Sequence, residues 1–205
     1  MNKTNSAKIT QRTLTAQKTK KKISNAAMSL FNKHDINDVR IADICQQAGV
    51  SVGLFYHYFK SKDDLIFSAF KDTDNYYTEE VKKIPDDLAP LEKLRQFWDI
   101  CNTLMLSYPP DTIKSLYRLP DDINPPLDTS RPIFKIIAKF LQEAQDNNDI
   151  KADINCQELA ITIYDCWSGI LYRYIYYPQI DLKNCTEKML QIIYYGIKNW
   201  QIENL

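Results

Sequence analysis

Glycine is scarce in this sequence, with four residues in a chain of 205. Proteins rich in β-hairpins need glycine at the turn positions that require a positive φ. No stretch alternates apolar and polar residues in the way that a half-buried strand does, and no internal repeat is present. A β-rich fold is therefore disfavoured, and the helical periodicities described below predict an all-α fold.

Residues that bind metals or form catalytic centres are sparse as well. The five cysteines form no Cys-x-x-Cys pair, and the chain has only two histidines. We therefore expect reduced thiols, no metal and no cofactor. An enzyme is not predicted, because no nucleophile is paired with a base and no glycine-rich phosphate loop or carboxylate–histidine cluster is present.

Long apolar runs are absent too. None approaches the 18 residues of a membrane-spanning helix, and the first residues are polar, unlike a signal peptide. The sequence therefore predicts a cytoplasmic protein without membrane association. Its hydrophobic content of 44% is sufficient for a sizeable core.

Charge is unevenly distributed, although the net charge of the whole chain is zero. Residues 1–62 contain eleven lysines and arginines against three aspartates, a net charge of +8. A basic head on an acidic body predicts a polyanionic partner such as nucleic acid. A solvated basic tail explains Lys3 to Lys22 equally well, but it does not explain the pattern that follows them.

The first part of the chain shows a change of pattern. Residues 1–18 have no apolar period and are predicted to be a flexible basic arm. From Lys20 an apolar residue recurs at helical spacing, and this first helix is predicted to end near His34. A second, short helix follows, for which Asp38 is the expected N-cap and Gly49 the stop.

A helix-turn-helix is predicted where the second helix meets a third one. The two are joined by Gly49-Val50-Ser51, and Ser51 is the expected cap of a helix from Val52 to about Lys60. Phe55 and Phe59 lie four residues apart and are predicted to be buried. The other side of the helix presents the candidate DNA contacts, together with the lysine that follows the helix: Val52, Gly53, Leu54, Tyr56, His57, Lys60 and Lys62.

These residue types suit two different roles on DNA. Gly53 permits close approach to base edges, and the methyl groups of Val52 and Leu54 can pack on a thymine methyl. The longer polar side chains can bind phosphates and fix the register without reading sequence. They are Tyr56, His57, Lys60 and Lys62.

The rest of the chain is also predicted to be helical. A Ser61-x-x-Asp64 capping signal begins a fourth helix that runs towards Ile84. The further predicted helices begin at Pro90 and Tyr108 and span about 131–147, 156–177 and 184–202. Apolar positions of helix 156–177 cover more than half of its circumference, so it is expected to pack on two sides.

The segment from Lys22 to Leu65 resembles the N-terminal domain of the tetracycline-repressor (TetR) family of bacterial transcriptional regulators. The resemblance covers about a quarter of the chain and is specific because many spaced positions agree. The matching positions are Leu30-Phe31, Asp43-Ile44, Ala48-Gly49-Val50-Ser51, Gly53, Tyr56, Tyr58-Phe59, Lys60, Ser61-Lys62 and Asp63-Asp64-Leu65.

The sequence departs from the family pattern at three places. Small hydroxyl residues are frequent in the family at the positions of Val39 and Arg40, where the second helix begins near phosphate. Arg40 offers a charge there instead, and with Ser51 it completes the candidate DNA contacts. Val52 and Leu54 are apolar where the family is often polar, which predicts a preference for thymine-rich DNA or weak binding.

The resemblance also implies a domain organisation and a homodimer. It implies a flexible arm, a DNA-binding domain and a larger ligand-binding and dimerisation domain at residues 1–18, 19–64 and 65–205. The last two helices of such proteins form a four-helix bundle with the partner, and a dimer implies a near-palindromic operator. The candidate interface residues are Tyr172, Ile175, Met189, Leu190, Ile193, Tyr194 and Ile197.

The resemblance further implies that the larger domain holds a small-molecule effector. Aromatic side chains in such a pocket favour a flat or cationic apolar molecule. Asp165 is expected on a solvated face rather than in the pocket. The candidate pocket residues are Phe97, Trp98, Cys101, Met105, Tyr117, Phe134, Phe140, Tyr164, Trp167 and Leu171.

Two functions of different classes remain open at this point. The leading one is a dimeric repressor that an apolar or aromatic effector releases from its operator. The alternative is an all-α protein that binds small molecules or lipids, with weak or no DNA binding. The apolar side chains of Val52 and Leu54 and the missing hydroxyl cap favour the alternative.

Overall fold

The computed structural model describes residues 11–117 and 128–199. Within these ranges the chain forms nine α-helices and a short 3₁₀ turn, Val81–Lys83, with no strand. The predicted all-α fold is therefore confirmed. In chain order the helices are α1 (Gln11–Phe31), α2 (Ile41–Ala48), α3 (Val52–Tyr58), α4 (Lys62–Glu80), α5 (Pro90–Leu106), α6 (Pro110–Leu116), α7 (Pro132–Asp146), α8 (Cys156–Tyr176) and α9 (Leu182–Asn199).

The chain divides into two compact units, one up to Ile66 and one from Phe67 onward. The first contains α1, α2, α3 and the beginning of α4, and α2 packs against both α1 and α3. Its core consists of fully or almost fully buried apolar side chains from these helices and from the residue that follows α3. They include Ile23, Ala27, Phe31, Ile44, Phe55, Phe59 and Leu65.

Helix α1 begins earlier than its apolar periodicity predicts. Residues 11–18 are helical, so the prediction of a flexible arm is wrong for them, while residues 1–10 lie outside the described part of the chain. The side chains described at positions 13–18 are mostly exposed. Gln, Ala, Lys and Leu are good helix formers, so α1 can extend beyond its buried face without an apolar stripe.

In the second unit, α7 and α8 pack on each other, α5 packs on α7 and α9, and α6 lies on α8. Proline occupies the first turn of α5, α6 and α7, where its missing N–H leaves no hydrogen bond unmade. Helix α8 begins at an N-cap asparagine whose side chain accepts hydrogen bonds from two backbone N–H groups. The predicted extension of α9 to residue 202 falls outside the described residues.

A buried polar side chain joins three helices of this unit. The Asn102 side-chain oxygen on α5 accepts a hydrogen bond from the Trp167 indole on α8 at 2.8 Å. The same oxygen accepts one from the Thr186 hydroxyl on α9 at 3.3 Å. All three residues are almost fully buried, so these bonds fix the register of the three helices.

Candidate functional site

The turn between α2 and α3 has the geometry that the sequence predicts. Gly49 adopts a left-handed conformation with φ 60° and ψ 45°, and its N–H donates to carbonyls in the last turn of α2. A residue with a side chain is strained at this φ, which explains the glycine. Ser51 then caps α3 by accepting a hydrogen bond from the backbone N–H of Leu54 at 3.1 Å.

Helix α3 has two distinct faces. Phe55 and Phe59 are buried, with ring centroids 5.6 Å apart, as the sequence predicts. Tyr56 lies on the other side with 55% of its surface exposed, and its ring meets the edge of Phe55. Leu54 is half-buried. The remaining candidate contacts of this helix and its end are exposed: Val52, Gly53, His57 and Lys60. The helix ends at Tyr58 rather than near Lys60, because Phe59 is extended.

Arg40, and not Asp38, occupies the N-cap of α2, so that prediction is wrong. The Arg40 guanidinium donates to both carboxylate oxygens of Asp43 at 3.1 and 3.0 Å, and the Arg40 backbone N–H donates to the same carboxylate. These hydrogen bonds hold the pKa of Asp43 below its usual value. The arginine side chain stays largely exposed, so its charge is available beside the start of α2.

Lys62 makes internal contacts in this structure. Its ammonium group donates to the backbone carbonyls of Ile36 and Val39, the latter at 3.0 Å, in the segment between α1 and α2. The lysine therefore ties the beginning of α4 to the chain that leads into α2. The next residues confirm the predicted cap of α4, since the backbone N–H of Asp64 donates to the Ser61 hydroxyl at 3.0 Å.

The predicted pocket residues of the second unit lie mostly in a chain of packed rings. Ring centroids are 4.8 Å apart between Phe134 and Tyr164, 5.9 Å between Tyr164 and Trp167, and 5.1 Å between Trp167 and Trp98. We call these four residues the aromatic series. Most other candidates are buried in the same unit: Phe97, Cys101, Met105, Phe140 and Leu171. Tyr117 differs, because it is exposed and lies within 3.2 Å of the Ser168 hydroxyl.

An ion pair that the sequence analysis missed lies beside Tyr164, whose ring is between those of Phe134 and Trp167 in the aromatic series. The Arg131 guanidinium donates to both carboxylate oxygens of Asp74 at 3.1 and 3.0 Å, and to the Tyr164 hydroxyl at 3.3 Å. Burial has the largest single effect and lowers the pKa of Arg131, but the hydrogen bonds and charge interactions with Asp74 and Tyr164 together outweigh it, so the pKa is raised. The partners are 57 residues apart, so no local sequence pattern indicates the pair.

The candidate dimer residues fall into three groups within the single chain. Ile175, Leu190 and Ile197 are buried in the chain's own core, whereas Tyr172 is exposed. The others are half-buried: Met189, Ile193 and Tyr194. The Tyr194 hydroxyl donates to the Leu91 carbonyl of α5 at 3.4 Å.

The most exposed apolar side chains of α9 were not among the predicted interface residues. Ile192 is 73% and Tyr195 is 74% exposed. They lie three residues apart and therefore share a helix face. A search of α9 for a second apolar stripe would have found them. Tyr176 and Tyr177, at the end of α8, are exposed as well. Asp165 lies on an exposed face of α8, as expected.

Neither a membrane span nor a cluster of metal ligands is present in residues 11–117 and 128–199. No helix there has the length and apolar character that a bilayer span requires. No group of three or more potential metal ligands occurs in the same residues.

Residues 23–69 match a family model described as bacterial regulatory proteins, tetR family. The HTH-type transcriptional regulator HbdR of Aromatoleum sp. (strain CIB) is 35% identical over 81 residues, which cover 38% of this chain and 35% of HbdR. The chain thus matches only about a third of that relative's length.

Solved structures resemble the chain over most of its length. The transcriptional regulator FadR from Bacillus subtilis, in complex with stearoyl-CoA, has a TM-score of 0.72 and 20% identity, covering 86% of this chain and 98% of that one. Thermus thermophilus FadR, a TetR family repressor in complex with lauroyl-CoA, has a TM-score of 0.68 and 20% identity, covering 91% and 98%. At such identities the likeness concerns the fold alone.

Proposed function

We propose that this chain, whose residues 23–69 match the family model of bacterial regulatory proteins, tetR family, is a homodimeric transcriptional regulator of that family, acting in the cytoplasm and most simply as a repressor. It binds a near-palindromic DNA operator and leaves it when a small apolar or aromatic effector binds. The observation that carries this proposal is the two-faced helix α3, held on α2 by buried phenylalanines while its other face is exposed.

DNA binding is assigned to the exposed face of α3 and to residues beside it. Gly53, which lies in the first turn of α3, adds no side chain and lets the helix approach base edges. Tyr56, His57 and Lys60 lie further along and are suited to phosphate contacts. Arg40 adds a charge at the start of α2, where the Asp43 carboxylate keeps its guanidinium in place.

Dimerisation is assigned to α8 and α9, the helices that the family resemblance implies. The exposed side chains Ile192 and Tyr195 of α9 and Tyr172 of α8 are available for a partner, whereas Leu190 already packs inside the chain. In a two-fold dimer each of these side chains is used twice. The two copies of α3, about one DNA turn apart, then fit a pair of inverted half-sites.

Effector binding is assigned to the second unit, and α4 is the element through which it acts. Helix α4 begins in the first unit and continues into the second. A ligand shifts a conformational equilibrium of a protein only if it binds the two conformations with different affinities. The effector must therefore favour a conformation of α4 in which the chain binds the operator less well. The proposal includes no catalytic role, since relatives such as HbdR are transcriptional regulators.

The direct test is fluorescence polarisation with DNA from the region upstream of the protein's own gene, measured at several salt concentrations. A scrambled duplex of the same composition is the control, because phosphate contacts alone bind any sequence. We expect preferential binding of the native duplex with two protein chains per site. Equal binding of both duplexes at every salt concentration would contradict the proposal.

Two observations favour a second function, namely an all-α small-molecule or lipid-binding protein without an operator. Two of the basic candidates, Arg40 and Lys62, are engaged in internal hydrogen bonds, and Val52 and Leu54 carry no polar group for base edges. Equal binding of both duplexes, together with effector binding, would favour this alternative.

A further inference from the structure

The ion pair between Arg131 and Asp74 differs from the other ion pairs between helices in its surroundings. Its arginine, the N-cap of α7, also contacts Tyr164, a member of the aromatic series. Solvent still reaches the pair, since the Arg131 side chain is 31% exposed and that of Asp74 is 18% exposed. A guanidinium that two carboxylate oxygens already hold side by side has the geometry that any carboxylate or phosphate would use.

The aromatic series itself contains an unsatisfied polar group. Among the described residues, the buried indole N–H of Trp98 has no hydrogen-bond acceptor. Buried donors are nearly always paired in native proteins, so an orphaned one calls for an explanation. The Trp98 ring lies 5.1 Å from Trp167, which in turn lies next to Tyr164. A ligand with an oxygen on its apolar body, lying along the series, would supply the missing acceptor.

We propose that the effector is an amphipathic anion whose apolar body packs along the aromatic series and whose anionic group pairs with Arg131 in place of Asp74. This inference rests on the proposed regulatory function and narrows its effector class. The sequence analysis expects a flat or cationic apolar molecule, and this inference replaces the cationic alternative because the positively charged Arg131 donates to Tyr164 of the series. Asp74 lies on α4, so the exchange removes a bond between α4 and α7 when the ligand binds.

The exchange predicts opposite effects for the two partners of the ion pair. Asp74→Asn removes the carboxylate that competes with the ligand, and anion affinity should rise about fivefold or more, a typical coupling between linked sites. Arg131→Gln removes the group that binds the anion, and affinity should fall by about as much. A pair that only stabilises the fold gives the same sign for both variants.

The test is a titration of the full-length protein, followed by tryptophan fluorescence, with matched probes. Dodecanoate is compared with 1-dodecanol, and 2-naphthoate with 2-naphthalenemethanol. Lauroyl-CoA, which carries its charge on phosphates, shows whether the anion is a free carboxylate or part of a conjugate. We expect at least one anion to bind at least about tenfold more tightly than its neutral counterpart, which for lauroyl-CoA is 1-dodecanol. In Arg131→Gln this difference in affinity should disappear.

Two controls separate a binding role from a folding role. Glu143→Gln breaks another ion pair between helices, Lys93–Glu143 at 3.2 Å, and should leave the anion preference unchanged. Arg131→Lys keeps the charge without the planar fork and should retain part of the preference. Thermal unfolding checks that every variant is folded.

The outcomes also distinguish this inference from the proposed function. Equal affinity for anions and their neutral counterparts, or a fall in anion affinity in Asp74→Asn, would overturn the inference even if operator DNA is bound. Tight anion binding through Arg131 without any operator preference would support the inference and remove the regulatory function instead.

Discussion

Replacing Ile192 and Tyr195 of α9 by serine should break the dimer without unfolding the chain. About three-quarters of each side chain is exposed in the single chain, so neither contributes much to its core. Burying a large apolar side chain stabilises by about 1.5–3 kcal/mol, which leaves ~1–2 kcal/mol for each exposed portion. Because a two-fold interface uses both residues twice, their combined contribution is about 4–8 kcal/mol.

The loss of even half of that free energy raises the dimer dissociation constant about 30- to 1,000-fold. Sedimentation velocity over a range of protein concentrations measures this shift, and circular dichroism checks that the helical content is kept. The matched control is Tyr56→Ser, which removes an aromatic side chain that is 55% exposed on α3. That variant should remain dimeric while its DNA affinity falls. An unchanged dimer dissociation constant in the α9 variant would refute the assignment of this face.

Three further predictions concern the first unit and the buried hydrogen bonds of Asn102. Tyr56→Ala should weaken binding to all DNA sequences alike, whereas Val52→Lys should change which sequence is preferred, and fluorescence polarisation with operator variants measures both effects. A loss of affinity that is equal for all sequences in both variants would refute the division into positioning and reading roles. Lys62→Met should lower DNA affinity without reducing the slope of the logarithm of affinity against the logarithm of salt concentration, because the lysine binds backbone carbonyls of its own chain. A slope smaller by about one would instead identify a phosphate contact. Asn102→Ala leaves the buried Trp167 N–H without an acceptor and should therefore lower the free energy of unfolding, measured in urea, by about 1–3 kcal/mol. An unchanged free energy of unfolding would argue against a stabilising role of the Asn102 hydrogen bonds.

The helices and their caps were the most predictable features of the chain. Pro90 begins α5, Ser51 caps α3 and Ser61 caps α4, because each signal depends only on residues a few positions apart. The start of α2 shows the limit of this reasoning, because the sequence predicts Asp38 as the N-cap and the structure has Arg40 there. The Asp43 carboxylate accepts from the backbone N–H of Arg40, and the backbone N–H of Asp43 donates to the Arg40 carbonyl at 3.0 Å, so this helix start is hydrogen-bonded without an oxygen on the N-cap side chain.

Contacts between distant helices were less predictable. Periodicity identifies apolar faces of α8 and α9 but does not indicate which face the chain itself buries. It therefore predicts Leu190 at a dimer interface, whereas the structure has this side chain in the chain's own core. The ion pair of Arg131 with Asp74 depends on the packing of α7 near α4, which no single segment determines. These residues require the three-dimensional arrangement of the helices.

Helix α4 has a consequence for how such proteins can be recombined. The boundary between the compact units falls between Ile66 and Phe67, inside a continuous helix of 19 residues rather than in a loop. One residue inserted there would turn the rest of the helix by about 100° and advance it by about 1.5 Å. Chimaeras that exchange DNA-binding units between relatives should therefore function only when the joint preserves helical phase, and loop-like tolerance of length changes is not expected at this boundary.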